Sequence, residues 1–155
     1  HYSNLIYAYL LSFSISEEDA IRLLPLSDEY AVKPLTKACG FTITQTYYKQ
    51  RKGRRPGNIN SDITVRNLVI ADKYEFKDLQ EMCIEELVKS DNPYSGKLVS
   101  ENKELSEFMK RQVLERKLEK LNMALVRERR MRTEEARQKA AKATKSGRNE
   151  ISLRR

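Results

Sequence analysis

The chain has 155 residues, 39% hydrophobic and 34% charged, with a formal net charge of +8. That length suits one small domain plus an extension. The charge is uneven: residues 1–102 carry 13 basic and 14 acidic groups, residues 103–155 carry 17 and 8, so the basicity belongs to the C-terminal part. His1, Cys39 and Cys83 cannot supply the roughly four N or S ligands a structural zinc takes. No metal or other cofactor is expected. No stretch approaches the roughly 18 apolar residues of a membrane span, so no membrane partner is expected either. Two lone cysteines within apolar helical patterns read as buried thiols of an intracellular protein, in cytoplasm or nucleus, with a disulfide as the lesser alternative.

The chain opens at His1, and Tyr2–Leu11 is already apolar, without a basic leader. This reads as a core helix of a longer protein, of which the chain is a piece, and not as a signal peptide. Ser16 is a suitable N-cap, and Glu17, Glu18 and Asp19 favour a helix start electrostatically. Ala20, Ile21, Leu23, Leu24 and Ser27 follow at helical spacing. Pro25 falls within that stripe, where a proline removes one hydrogen bond and costs about 3 kcal/mol; a kink or an irregular last turn is expected. A short second helix carries Leu35, Ala38 and Cys39 and stops at Gly40.

The same arrangement returns 44 residues later. Leu24, Asp28, Tyr30, Lys33, Leu35 and Cys39 align with Leu68, Asp72, Tyr74, Lys77, Leu79 and Cys83. Ile21 meets Val65, Arg22 meets Arg66, and Val32 meets Phe76. In the second copy Ser61 or Asp62 caps a helix carrying Val65, Leu68, Val69 and Asp72. Its partner carries Leu79, Met82, Cys83 and Leu87. The expected interior is Ile21, Leu24, Val32 and Leu35 in the first pair, and Val65, Leu68, Phe76 and Leu79 in the second. Tyr30 and Tyr74 read as core rings with hydroxyls at the edge. Asp28 and Asp72 read as helix-end or solvent-facing groups. Cys39 and Cys83 lack a basic neighbour that would activate a thiol.

Residues 45–60 read as an exposed basic loop between the copies. Lys49, Arg51, Lys52, Arg54 and Arg55 crowd into seven positions, followed by Pro56 and Gly57. A solvated loop is the plainest account. A nuclear-localisation signal or a phosphate-contacting patch is the alternative, with sequence-independent, salt-sensitive affinity; Tyr47 and Tyr48 could then stack on bases. A second break lies at 91–96. Residues 97–143 read as a long helix of good helix formers. Leu114, Leu118, Leu121 and Leu125 step by 4, 3 and 4, an a/d stripe of about two heptads, shorter than a sustained coiled coil. The stripe is best explained by self-association or by docking on the helical core, since leaving each leucine in water forgoes roughly 1.5–3 kcal/mol. Leu105, Phe108, Met109 and Val113 form an offset stripe upstream. The basic stretch 127–142 reads as a lone charged helix supported by pairs such as Glu128 with Arg132, with contact to nucleic acid or an acidic membrane surface as the alternative. Residues 144–155 read as a disordered tail.

The elements Tyr7-Ala8-Tyr9, Ser16-Glu17-Glu18, Leu23-Leu24-Pro25-Leu26-Ser27-Asp28-Glu29-Tyr30 and Cys39, in this order, resemble the C-terminal helices of a BTB/POZ domain, here residues 1–44. Leu68-Val69-Ile70-Ala71-Asp72-Lys73-Tyr74 through Leu79-Gln80-Glu81-Met82-Cys83 resemble the helical pair that follows the BTB fold in the MATH-and-BTB adaptor group, here residues 61–90. The resemblance covers roughly residues 2–90. It implies an all-α architecture: C-terminal BTB helices, a second helical pair and a long charged helix. It also implies a protein-binding module that links a substrate protein to the cullin scaffold of a ubiquitin ligase. The strands and first helices that carry the family's dimer interface are absent from the chain, as is its hydrophobic-x-glutamate cullin motif. No nucleophile–base pair or phosphate-cradling glycine loop is readable, so neither a catalytic residue nor an enzyme is expected. The alternative is a nuclear BTB regulator contacting nucleic acid through the basic loop and tail.

Overall fold

The computed structural model describes residues 15–55 and 57–152, with side chains described through residue 142. Tyr7-Ala8-Tyr9 and the apolar opening lie outside the described residues, as does the end of the expected tail at 153–155. Among the described residues the protein is all-α, with no strand. It divides into two units, His1–Leu114 and Glu115–Arg155.

In the first unit, helix α1 spans Glu17–Glu29. Ser16 caps it: its Oγ accepts the Asp19 N–H at 3.1 Å and donates to the Asp19 carboxylate at 2.6 Å. The helix buries Ala20, Leu24 and Ser27. It continues through Pro25, whose ring is on the exposed side. Helix α2 spans Lys33–Arg51, with Pro34 in its first turn, where a missing N–H is harmless. Helices α3, Ser61–Lys73, and α4, Lys77–Lys89, are the second copy. Asn60, rather than Ser61 or Asp62, caps α3, its side chain accepting the Asp62 N–H at 2.8 Å.

The two corners are built alike. Tyr30 ends α1, Ala31 takes φ 52°, and the Val32 N–H returns to the Ser27 carbonyl at 2.8 Å. Tyr74 ends α3, Glu75 takes φ 58°, and the Phe76 N–H returns to the Ala71 carbonyl at 2.9 Å. This is a Schellman-type helix end, repeated at the 44-residue offset. Each one places a left-handed, non-glycine residue where a turn must be made, at a backbone cost of about 1–2 kcal/mol.

Gly40 does not stop α2, which runs eleven residues further, to Arg51. Glycine inside a helix costs about 1 kcal/mol relative to alanine. Here the missing side chain is the reason for the residue. A Cβ on Gly40 would stand 2.5 Å from the Phe76 ring, so the ring occupies that space. As a result, residues 45–51 of the expected loop are helix, and the connection between the copies shortens to residues 52–60.

Helices α1 with α2, α3 with α4, and α2 with α4 pack together. Leu24, Cys39, Ile43 and Tyr47 share one core with Leu68, Leu79, Cys83, Ile84 and Leu87. Of the expected interior, Leu24, Val65, Leu68 and Leu79 are buried, and Ile21, Leu35 and Phe76 are partly buried against the core. Val32 is exposed, because the smaller side chain at that corner does not reach across as Phe76 does. Tyr30 is also a correction: it is 71% exposed, whereas Tyr74 packs on Phe76 with ring centroids 5.9 Å apart.

The chain turns through Asn92, whose side-chain oxygen accepts the Tyr94 N–H and whose amide donates to Ser61 Oγ. Helix α5, Ser95–Glu101, buries Val99 and packs on α3. Asp72 then accepts the Ser106 N–H at 2.8 Å and its hydroxyl at 3.1 Å. Ser106 in turn accepts the Met109 N–H, which caps helix α6, Glu107–Ser152. Leu105, Met109 and Val113 complete the core.

The second unit is the remainder of α6. All its described side chains from Leu121 to Lys142 are exposed. Glu128 and Arg132 form the expected i,i+4 pair at 2.6 Å. The backbone remains helical through Ser152, so the tail expected to be disordered from residue 144 is helix as far as 152.

Candidate functional site

The five basic residues between the copies do not form one patch. Lys49 is exposed on the last turn of α2, and Lys52, Arg54 and Arg55 are exposed on the turn after it. Arg51 faces inward. Its side chain is 18% exposed, and its Nη2 donates to Glu85 Oε2 at 2.6 Å. Its Nε lies 3.4 Å from Glu86 Oε2, an ion-pair distance rather than a short hydrogen bond. Lys89 adds a second cation to Glu85.

Glu86 is the residue that sequence reasoning passed over. It is 1% exposed, and its Oε1 accepts the N–H of Gly57 at 2.7 Å and of Ile59 at 2.9 Å. One carboxylate therefore fixes the end of the basic connection to α4, and Arg51 supplies the countercharge. A buried carboxylate without such partners would cost several kcal/mol. A signal was present: residue 86 lies seven positions after Leu79, so a charge stands on an apolar helical stripe. Gly57 fits the same junction. It takes φ 92°, and a Cβ there would stand 2.4 Å from the Lys89 carbonyl oxygen.

Beside this carboxylate lies a buried hydroxyl–thiol group. The Tyr47 hydroxyl donates to Thr64 Oγ1 at 3.1 Å. Tyr47 is fully buried, so it is not available to stack on a base; Tyr48 is half exposed. Burial pushes the Tyr47 hydroxyl well above its ordinary pKa, and nearby Cys83 adds to the rise. Burial pushes the Cys83 thiol up to about 12, although the Tyr47 hydrogen bond and Arg51 oppose it. Cys39 is raised by burial too. Both cysteines are free and buried. Raised thiol pKa values make both poor nucleophiles near neutral pH. The sign for stability follows: the Cys83 contribution is complete below the ordinary thiol range and is lost as pH rises toward about 12.

Lysine and arginine draw Glu85 the other way. The hydrogen bond from Lys89, then that from Arg51, lowers its carboxyl pKa. For Arg51, burial works against the charge, and Glu85 and Glu86 outweigh it, raising its pKa. These groups form a structural clasp, in which Arg51 of α2 and the N–H groups of Gly57 and Ile59 meet the carboxylates of α4.

The second set of expected contact residues lies on α6. Leu114 is 38% exposed, and Leu118, Leu121 and Leu125 are each more than half exposed. The offset stripe of Leu105, Met109 and Val113 is buried, and Phe108 is exposed. Docking of the helix start on the core therefore uses the offset stripe, and the a/d leucines are themselves exposed. A shallow groove of about 410 Å³ lies along α1, α3 and the end of α5, lined by Ile21, Val65, Arg66, Val69, Leu98 and Glu104 among others. Among the described residues, no cluster of His, Cys, Asp and Glu is placed to hold a metal ion. No helix there is long and apolar enough to cross a membrane. No protein-family model, curated protein or solved structure matches the chain.

Proposed function

We propose that this chain is a protein-binding and assembly module of the BTB/POZ adaptor kind, which brings a substrate protein to a cullin-based ubiquitin ligase. The observation that supports this reading is the pair of equivalent helical corners. Leu24 and Leu68 occupy matching interior places, and Ala31 and Glu75 make the same turn 44 residues apart. Order and spacing of these elements are what resemble the C-terminal BTB helices and the pair that follows them. The mechanism on this reading is recruitment: the adaptor supplies proximity, which can replace a bimolecular encounter by an effectively intramolecular one. Chemistry belongs to other subunits. The helical core serves as a rigid support, and the Glu86 clasp holds the second pair against the first.

The test is binding of the full-length protein to a purified cullin scaffold. Capture of the scaffold, retained by Arg54→Ala, agrees with the adaptor role; absence of capture by correctly folded full-length protein rejects it. The exposed Lys49, Lys52, Arg54 and Arg55 support a second reading, contact with nucleic acid. That reading requires affinity for duplex DNA or RNA that falls steeply with salt and disappears when these four become Ala.

A further inference from the structure

We propose that the exposed leucine face of α6 pairs with the same face of a second copy of this chain, with the two helices antiparallel. At about 100° per residue, Leu114, Leu118, Leu121 and Leu125 fall on one side of the helix. Met109 and Val113, which are buried in the first unit, lie about 150° and about 110° around the helix from that side. The a/d leucines are thus a surface of α6 separate from the buried stripe, and exposed. Its borders are open too: Glu107 is 85% exposed at its side chain, Arg111 is exposed, and Phe108 is 72% exposed.

Charge selects both the occupant and its direction. Continuing the register outward from the leucines places Arg111 and then Glu107 before them, and Glu128 and then Arg132 after them. An antiparallel pair matches each a position with a d position of the other copy. Leu118 then meets Leu121 of the other copy, and Leu114 meets Leu125. The same register sets Arg111 against Glu128 and Glu107 against Arg132, at both ends of the leucine layers. Every flanking layer is attractive. A parallel pair would set Arg111 on Arg111, Glu128 on Glu128 and Arg132 on Arg132, each a like-charge contact in the seam. Electrostatic matching of this kind fixes register and excludes wrong pairings. The pair between Glu128 and Arg132 within one chain remains compatible, because Arg111 and Glu107 of the other copy extend it into a network. The interface is isologous, so each contact occurs twice.

This pairing stands apart from the adaptor reading, since self-association and cullin capture are separate measurements. The test is sedimentation velocity of the whole chain across a broad micromolar range at low salt, with circular dichroism as the check on folding. Wild type is expected to dimerise. Leu118→Lys with Leu121→Lys, both at exposed positions, should abolish the dimer at unchanged helicity. Arg111→Glu and Glu128→Arg should each weaken association at least about fivefold, because two-fold symmetry places two repulsive contacts in one dimer. The double variant R111E/E128R should recover it. A parallel pair cannot recover in this way, since each layer then keeps like charges. A wild type that stays monomeric, or a dimer indifferent to both single swaps, overturns the proposal; a monomer would leave the face for a different protein.

Discussion

The helix pairs α1–α2 and α3–α4 carry the same corner and diverge at their far ends. Both first helices are 13 residues long, and their partners begin at the same offset. Yet α2 runs 19 residues and α4 only 13. The extra turns of α2 carry Tyr47 and Arg51 to the Thr64 hydroxyl and to Glu85 and Glu86. A repeated pattern therefore sets how each pair closes on itself. The residues in which the copies differ set how one pair holds the other. Gly40 illustrates the point: its counterpart in the second pair is Ile84, a fully buried apolar side chain, whereas Gly40 leaves room for the Phe76 ring.

The largest effect should come from the position where this asymmetry is charged. Glu86→Ala removes the acceptor for Gly57 and Ile59 and strands Arg51, and it should lower unfolding free energy in urea by about 3–5 kcal/mol. The matching Thr42→Ala in the first pair should change stability by less than about 1 kcal/mol. The shared feature gives the next test. Leu24→Ala and Leu68→Ala are each expected to cost about 2–5 kcal/mol by urea or thermal unfolding. Similar losses would support equivalent interiors, and a loss at one position alone would break the equivalence. Gly40→Ala gains helix propensity but meets Phe76, so it should lose about 1–3 kcal/mol net. In the background of Phe76→Ala the sign should reverse, because the space is then empty. The smallest effect belongs to the corners. Ala31→Gly and Glu75→Gly relieve a left-handed residue while adding freedom to the unfolded chain, so each should stabilise by up to about 1 kcal/mol, visible as a raised Tm.

The helix pairs and their interior were largely legible. Leu24, Val65, Leu68 and Leu79 follow from helical spacing and are buried. The two cysteines follow from the same stripes. Helix ends were less legible. Gly40 read as a stop because local propensity says so, and a ring from the other copy reversed it. Tyr30 and Val32 read as core, but among the described residues no second surface covers the first corner, and both are exposed. The basic cluster was legible as composition and misleading as geometry. Extending α2 by its last two turns rotated Arg51 inward and left Lys49 outside.

By itself the amino-acid sequence determined the all-α class, the 44-residue repeat, the apolar faces and the a/d leucines of a long helix, but not that helix's start: the helix expected over 97–143 breaks at 102–106, between α5 and α6. These depend on spacing and on intrinsic preference, which act within a few residues. Only the tertiary structure decided that α2 passes through Gly40, that Glu86 is buried with Arg51, and that Leu105, Met109 and Val113 dock while the a/d leucines remain outside. Each of those outcomes turns on a partner far along the chain. Burial, ring packing and countercharge are properties of groups brought together, and no local pattern contains them.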